Sequence, residues 1–147
     1  MDNLHKVDAW LAALLANLEP AARQRMLREL AQELRQNQQN NIRLQRNPDG
    51  TGYEPRKVTA RTKKGRIKRQ MFSKLRTAKY LKTAASADSA SVQFEGKVQR
   101  IACVHHYGLR EPIKRSRHFI RYSKRTLLGF NKDLKIMTLI KYLLLKA

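Results

Sequence analysis

The feature that most constrains this chain is the uneven distribution of its charge. Its 147 residues include 32 Lys and Arg against 11 Asp and Glu, a net charge of +21. Residues 1–34 carry a net −1, residues 35–82 carry +13 and residues 83–147 carry +9. Charges are screened over only about 8 Å at physiological salt, so the middle segment repels itself when alone. We therefore expect it to be extended or mobile until an anionic surface, of nucleic acid or another protein, neutralises it.

The remaining composition is that of a globular protein with one modest core. Hydrophobic residues make up 41% of the chain, which is more than a fully disordered protein carries. A single cysteine, Cys103, excludes an intrachain disulfide framework and any Cys-based zinc site. Residues 1–10 lack the basic-then-apolar pattern of a secretory signal, and the apolar stretches are shorter than the roughly 20 residues of a membrane span. We expect a soluble, intracellular domain with no membrane partner.

Two amphipathic helices are predicted at the beginning of the chain. Apolar residues recur at three- and four-residue spacing, which is typical of one buried helix face. The first helix begins at Asp2 or Asn3 and is ended by Pro20, which also suits the first turn of the second. The first stripe contains Leu4, Val7, Trp10, Leu11, Leu14, Leu15 and Leu18, and the second contains Met26, Leu27, Leu30, Ala31, Leu34 and Ile42. The Gln/Asn run 36–41 must face solvent or a polar partner.

Shorter elements are predicted beyond residue 46. Residues 47–52 form a turn, residues 83–91 form a loop or linker, and residues 91–95 form a strand. Residues 98–108 are a short mixed element that closes at Tyr107-Gly108. Extended segments are predicted at 119–122 and 126–130, and Ile67, Met71 and Leu75 indicate a helical part in the basic arm, residues 56–82. The last predicted helix begins at Asn131, with a stripe of Ile136, Leu139, Ile140, Leu143 and Leu144.

The order of these elements predicts an α+β fold within a single domain. Its parts are an antiparallel N-terminal helical hairpin (1–46), a basic arm and linker (47–90), and a small antiparallel sheet with a C-terminal helix (91–147). The hairpin alone buries too little apolar surface to be stable, so we expect it to dock on another surface.

Reactive residues are few and poorly spaced for catalysis. His105 and His106 are adjacent, so their side chains diverge and do not easily bind one ion. We expect one of them to be buried and the other exposed. Cys103 and His105 would share a face of a strand, but the apolar neighbours of Cys103 favour a plain core cysteine. No carboxylate pair or phosphate loop is present, so we predict no enzyme activity, no cofactor and no metal.

The basic arm is the strongest physical signal. Its cations could contact phosphates while Phe72 and Tyr80 stack on bases. No finger, RNA signature or basic recognition helix accompanies them, so a basic face that binds a protein partner is an equal alternative. The candidate interaction residues are Arg56, Lys57, Arg61, Lys63, Lys64, Arg66, Lys68 and Arg69.

Four segments, in order along the chain, are recognisable together. They are residues 43–50 with Tyr53 and Pro55, residues 71–75, residues 104–109, and residues 125–130 with Asp133. In this order they resemble the phage virion morphogenesis family, the tail completion proteins of contractile-tailed phages. The sequence departs from the family pattern at Tyr53, where a tryptophan is expected, and in its very basic middle.

The resemblance implies a structural virion protein that caps the head-proximal end of a finished tail and prepares it for joining to the head. It also implies a ring of identical subunits, a hexamer, at the tail–neck region, assembled in the host cytoplasm. The partners would be further copies, the tail tube and sheath or other completion and neck proteins, with DNA contact in the channel left open. The fold-defining residues would be Pro48, Asp49, Gly50, His105, Gly108, Arg125, Leu128 and Gly129.

Overall fold

The computed structural model describes residues 2–16, 18–57 and 70–130, which divide into two compact units. The described part of the first unit is residues 2–16, 18–36 and 82–93. That of the second unit is residues 37–57, 70–81 and 94–130. Helices and two small sheets are both present, which confirms the predicted α+β class.

The first unit contains helix α1 (Asp2–Leu15) and the part of helix α2 (Pro20–Arg43) up to Gln36. Pro20 opens α2 as predicted, since a first-turn residue needs no N–H. The predicted inward face of α2 is confirmed, because Met26, Leu27 and Leu30 are buried. Packed against these three are Trp10, Leu18, Leu34, Ala85 and Ala90. The antiparallel helical hairpin stays a prediction.

One strand extends into the predicted loop, and a second lies at the strand predicted at 91–95. β1 (Leu81–Ala85) and β2 (Ala90–Phe94) pair into a two-stranded sheet. The connection is short, with the Ser86 N–H donating to the Ser89 carbonyl at 2.8 Å. The prediction of a loop or linker at 83–91 is therefore wrong at 83–85 and at 90–91 and correct at 86–89, and the strand predicted at 91–95 is confirmed as β2. Alanine and serine have little strand preference of their own, so pairing and the packing of Ala85 and Ala90 on the α2 core decide the conformation.

A further helix, α3 (Gly96–Tyr107), replaces the predicted short mixed element. β-branched residues weaken its helical pattern, yet Ala102 and Val104 are buried. The predicted end is correct: Gly108 follows α3 in the left-handed conformation, with φ 66°. β3 (Arg110–Pro112) and β4 (Phe119–Arg121) then pair antiparallel, which confirms a strand at 119–121.

The other predicted elements either differ from the structure or lie outside the described residues. Residues 71–80 form successive turns around a buried Leu75, with no continuous α-helix. Residues 126–130 are without regular structure. The predicted helix from Asn131, and Ile67 in the arm, lie outside the described residues. None of the described helices is long and apolar enough to cross a membrane.

Candidate interaction site

Side chains from the end of α2 and from the residues that follow it bind the backbone of the segment 126–129. The Gln38 amide donates to the Gly129 carbonyl at 2.7 Å and accepts the Gly129 N–H at 3.0 Å. Asn47 accepts the Thr126 N–H at 2.8 Å. The Tyr53 hydroxyl donates to the Thr126 carbonyl at 3.1 Å, and burial raises the pKa of Tyr53, which keeps the hydroxyl protonated. Part of the Gln/Asn run therefore faces a polar partner, which is the backbone of its own unit.

A second pair of amides holds residues 71–76 in the same way. Gln45 donates to the Met71 carbonyl at 2.9 Å and accepts the Met71 N–H at 3.1 Å. Gln39 donates to the Arg76 carbonyl at 2.8 Å. Side-chain amides that pair with both groups of one residue substitute for a strand neighbour. Gln38 and Gln39 lie in the Gln/Asn run and Gln45 in the segment 43–50, but nothing in the sequence pattern predicts that these three side chains hold distant segments.

The turn after α2 contains three of the predicted fold-defining residues, Pro48, Asp49 and Gly50, and contacts a fourth, Gly129. The Gly50 N–H donates to the Asn47 carbonyl at 2.9 Å, and Gly50 has φ 92°, which favours glycine. Asp49 accepts hydrogen bonds from the backbone and hydroxyl of Thr51. Pro48 lies against Gly129 so closely that a Cβ there would be 2.7 Å from the Pro48 Cγ. The structure therefore joins the first and last motifs of the chain.

Arg125 is a buried residue that fixes the chain after this turn. Arg125 is only 7% exposed, and its guanidinium donates to the Glu54 carbonyl at 2.8 Å and to the Pro55 carbonyl at 3.1 Å. Its backbone N–H donates to the His105 carbonyl at 2.8 Å. Burial lowers the pKa of Arg125, Glu54 opposes this by raising it, and Arg56 lowers it further. Gly108 lies against Lys124, the residue before Arg125: a Cβ added to Gly108 would be 3.0 Å from the Lys124 Cβ and backbone nitrogen.

Both histidines of α3 are half-buried, so the prediction of one buried and one exposed is wrong. On a helix, neighbouring residues are only 100° apart, and both rings turn toward the unit. His106 accepts the Leu127 N–H at 3.2 Å and lies 3.5 Å from that of Leu128. Burial lowers the pKa of both histidines, with additional lowering from Arg125 for His105 and from Lys124 for His106.

Cys103 is exposed, which overturns the prediction of a core cysteine. On α3, residues two apart point roughly 200° from each other, so Cys103 and His105 share no face. The described residues contain no group of three or more His, Cys, Asp or Glu side chains that could hold a metal ion.

A row of aromatic rings lies beside Arg125. Tyr53 meets Phe72 edge to face at 5.7 Å between ring centroids. Phe72 meets His105 at 4.9 Å, and His105 meets Tyr122 at 4.9 Å, both edge to face. Such pairs stabilise one another beyond the area that they bury. The row therefore places His105 between Phe72 and Tyr122 in an aromatic wall.

This wall borders an open cleft of about 390 Å³. Its lining residues are Arg56, Lys57, Met71, Phe72, His105, Arg121, Tyr122, Ser123 and Arg125. Four of them are cationic, and no carboxylate belongs to this described lining. Of the predicted interaction residues, Arg56 and Lys57 lie here. The other six, Arg61, Lys63, Lys64, Arg66, Lys68 and Arg69, are outside the described residues.

Comparison with known proteins accounts for the motifs that the structure brings together. The profile of the phage virion morphogenesis family matches residues 2–142. The chain is 42% identical over 135 residues to tail completion protein S of Escherichia phage P2, which covers 90% of each chain. No solved structure matches it. The chain therefore belongs to the phage virion morphogenesis family, whose members act in phage tail assembly.

Proposed function

We propose that this protein completes the phage tail by capping its head-proximal end and enabling the tail to join the head. The observation that carries the proposal is the 42% identity to a tail completion protein over 90% of both chains. It would reside in the tail–neck region of the virion and assemble in the host cytoplasm. Its role would be structural, with no reacting centre.

The proposal includes a ring of identical subunits, a hexamer, because a tail is closed by a symmetric cap. The β3–β4 hairpin supports it. This hairpin exposes Phe119, Ile120 and Ile113, at 57%, 38% and 40% of their surfaces. A two-stranded hairpin alone is marginally stable, and clustered exposed apolar side chains mark interaction sites. A neighbouring subunit or another tail protein would cover these side chains.

The test is a phage in which the gene is deleted and then supplied again from a plasmid. We expect lysates of the deletion to contain heads and tails that are not joined, and infectious titre to return with the wild-type gene. Electron microscopy of the lysates and of the purified protein would show unjoined tails and rings, respectively. Joined, infectious particles at normal titre from the deletion would contradict the proposal.

A second candidate function is nucleic-acid binding through residues 56–82. This segment contains twelve Lys and Arg residues and no Asp or Glu. Such binding would weaken with salt, with a log–log slope of about −0.9 per neutralised phosphate. Binding that is weak, and unchanged when Lys63, Lys64, Arg66, Lys68 and Arg69 become alanine, would count against this function. The two functions are compatible if the basic segment contacts DNA in the head–tail channel.

A further inference from the structure

The cleft of the second unit concentrates positive charge on a fixed framework. Arg121 lies directly opposite Arg110 in the β3–β4 pair. Side chains of opposite residues share a face of the sheet, and like charges there destabilise the pair. The Arg110 guanidinium lies 5.0 Å from the centre of the Phe119 ring, on the same face as Arg121. An anion bound beside Arg121 would relieve this repulsion.

Arg125 is already fixed in position. Two of its nitrogens donate to backbone carbonyls of Glu54 and Pro55. A guanidinium whose rotamer is fixed loses little entropy when it binds a partner. The cleft therefore offers a preorganised cation, Arg125, beside the exposed Arg121.

The size of the cleft and the limited exposure of its aromatic rings favour a peptide as the anion. A volume of about 390 Å³ accommodates a few side chains and lies near the lower end of the range of small-ligand sites. Base stacking requires open ring faces, whereas Phe72, His105 and Tyr122 are each at most half exposed and contact one another. These rings form a wall suited to an apolar side chain next to carboxylates.

We propose that this cleft binds an acidic peptide segment of a partner protein in the virion. Its carboxylates pair with Arg56 and Arg121 at the opening and reach Arg125 inside, while an apolar side chain packs on Phe72 and Tyr122. Arginine pairs with carboxylates through two parallel hydrogen bonds. That the partner is a protein rests on the proposed role in tail completion.

The test measures binding of a fluorescein-labelled six-residue peptide of five glutamates and one phenylalanine, by fluorescence anisotropy. The cleft variant is Arg56→Ser with Arg121→Ser, which leaves the buried Arg125 in place. The matched control is Lys114→Ser with Arg117→Ser, which removes the same charge from exposed residues of the β3–β4 connection outside the cleft. We expect the cleft variant to bind about tenfold or more weakly, and the control to bind within about threefold of wild type.

Equal losses in the two variants would show that net charge alone attracts the peptide, and would overturn the proposal. It would also fail if the wild-type protein binds the peptide no better than the peptide with glutamine in place of glutamate. A single-stranded oligonucleotide that loses more affinity than the peptide in the cleft variant would assign the cleft to nucleic acid instead. These measurements use the purified chain, so their failure is distinguishable from failure of the deletion and complementation test of tail completion.

Discussion

At the scale of single residues, side-chain amides of the second unit bind the backbone of residues that are distant in sequence. Gln38 and Gln45 each pair with both backbone groups of one distant residue, Gly129 and Met71. A buried backbone group without a partner costs free energy comparable to a lost hydrogen bond. These two glutamines therefore replace strand pairing for segments that have no regular structure of their own.

Replacing Gln38 with alanine should lower the free energy of unfolding by about 1–3 kcal/mol, because both backbone groups of Gly129 lose their partner. Urea-induced unfolding measures this loss. The matched control, Gln36→Ala, changes an exposed glutamine of the same helix and should stay within about 0.5 kcal/mol of wild type. Equal effects of the two changes would contradict the assigned role of Gln38.

The two half-buried histidines predict a stability that depends on pH. Burial lowers the pKa of His105 and His106 in the folded chain, whereas the histidine pKa is about 6.5 in an unfolded chain. The unfolded chain therefore binds protons more readily as pH falls. The contribution of these two neutral histidines to the free energy of unfolding is fully present above a pH of about 6.5. It is lost as the pH falls from there toward the folded-state pKa values.

The measurement is the free energy of unfolding of wild type and His106→Asn at several pH values between about 7.5 and about 5. Asparagine retains an acceptor for the Leu127 N–H and has no titratable group, so its stability should fall less with acid. His118→Asn changes an exposed histidine and serves as the control, with the wild-type dependence expected. A wild-type stability that rises with acid would show that the sign is wrong.

At the scale of elements, two turns with glycine determine how segments distant in sequence meet. Gly108 ends α3 in the left-handed conformation, and the chain then begins β3. Pro48, in the turn after α2, contacts Gly129 near the other end of the described second unit. The close approach at Gly129 requires the absence of a side chain.

Replacing Gly129 with alanine should lower the free energy of unfolding by about 1–3 kcal/mol, because the new Cβ overlaps Pro48. Thermal or urea unfolding measures the loss. The control is Gly52→Ala, whose Cβ would meet no atom within 4 Å and should change stability by at most about 0.5 kcal/mol. An alanine at 129 that leaves stability unchanged would refute the close packing.

At the scale of the whole molecule, a net charge of +21 opposes compaction of the chain. The described residues contain ion pairs between Arg23 and Asp88 and between Arg100 and Glu111, but only 11 carboxylates exist to neutralise 32 cations. The excess positive charge must be neutralised by salt or by partners. Binding of an acidic partner would therefore stabilise the folded chain.

Added salt should accordingly stabilise the isolated protein. Raising NaCl from about 0.05 M to about 0.5 M shortens the screening length, so the melting temperature should increase by several degrees. Differential scanning fluorimetry measures this shift, and KCl at equal ionic strength should give the same result. A melting temperature that falls or stays constant would show that self-repulsion does not limit stability.

The sequence determined the elements that have a strong local signal. The apolar stripe of α2, its start at Pro20 and the turn at Asn47–Gly50 follow from periodicity and turn chemistry, which neighbouring residues decide. Tertiary structure alone decided β1, because Ala84 and Ala85 have little strand preference and become part of a strand by pairing and packing, whereas the alternation over residues 91–95 already predicts β2. It also placed Cys103 outward on a helix and Gln38 inward against Gly129, since which face a polar residue presents depends on partners distant in sequence. The cationic cleft likewise required the fold, because Arg56 meets Arg121 and Arg125 only when two segments distant in sequence come together.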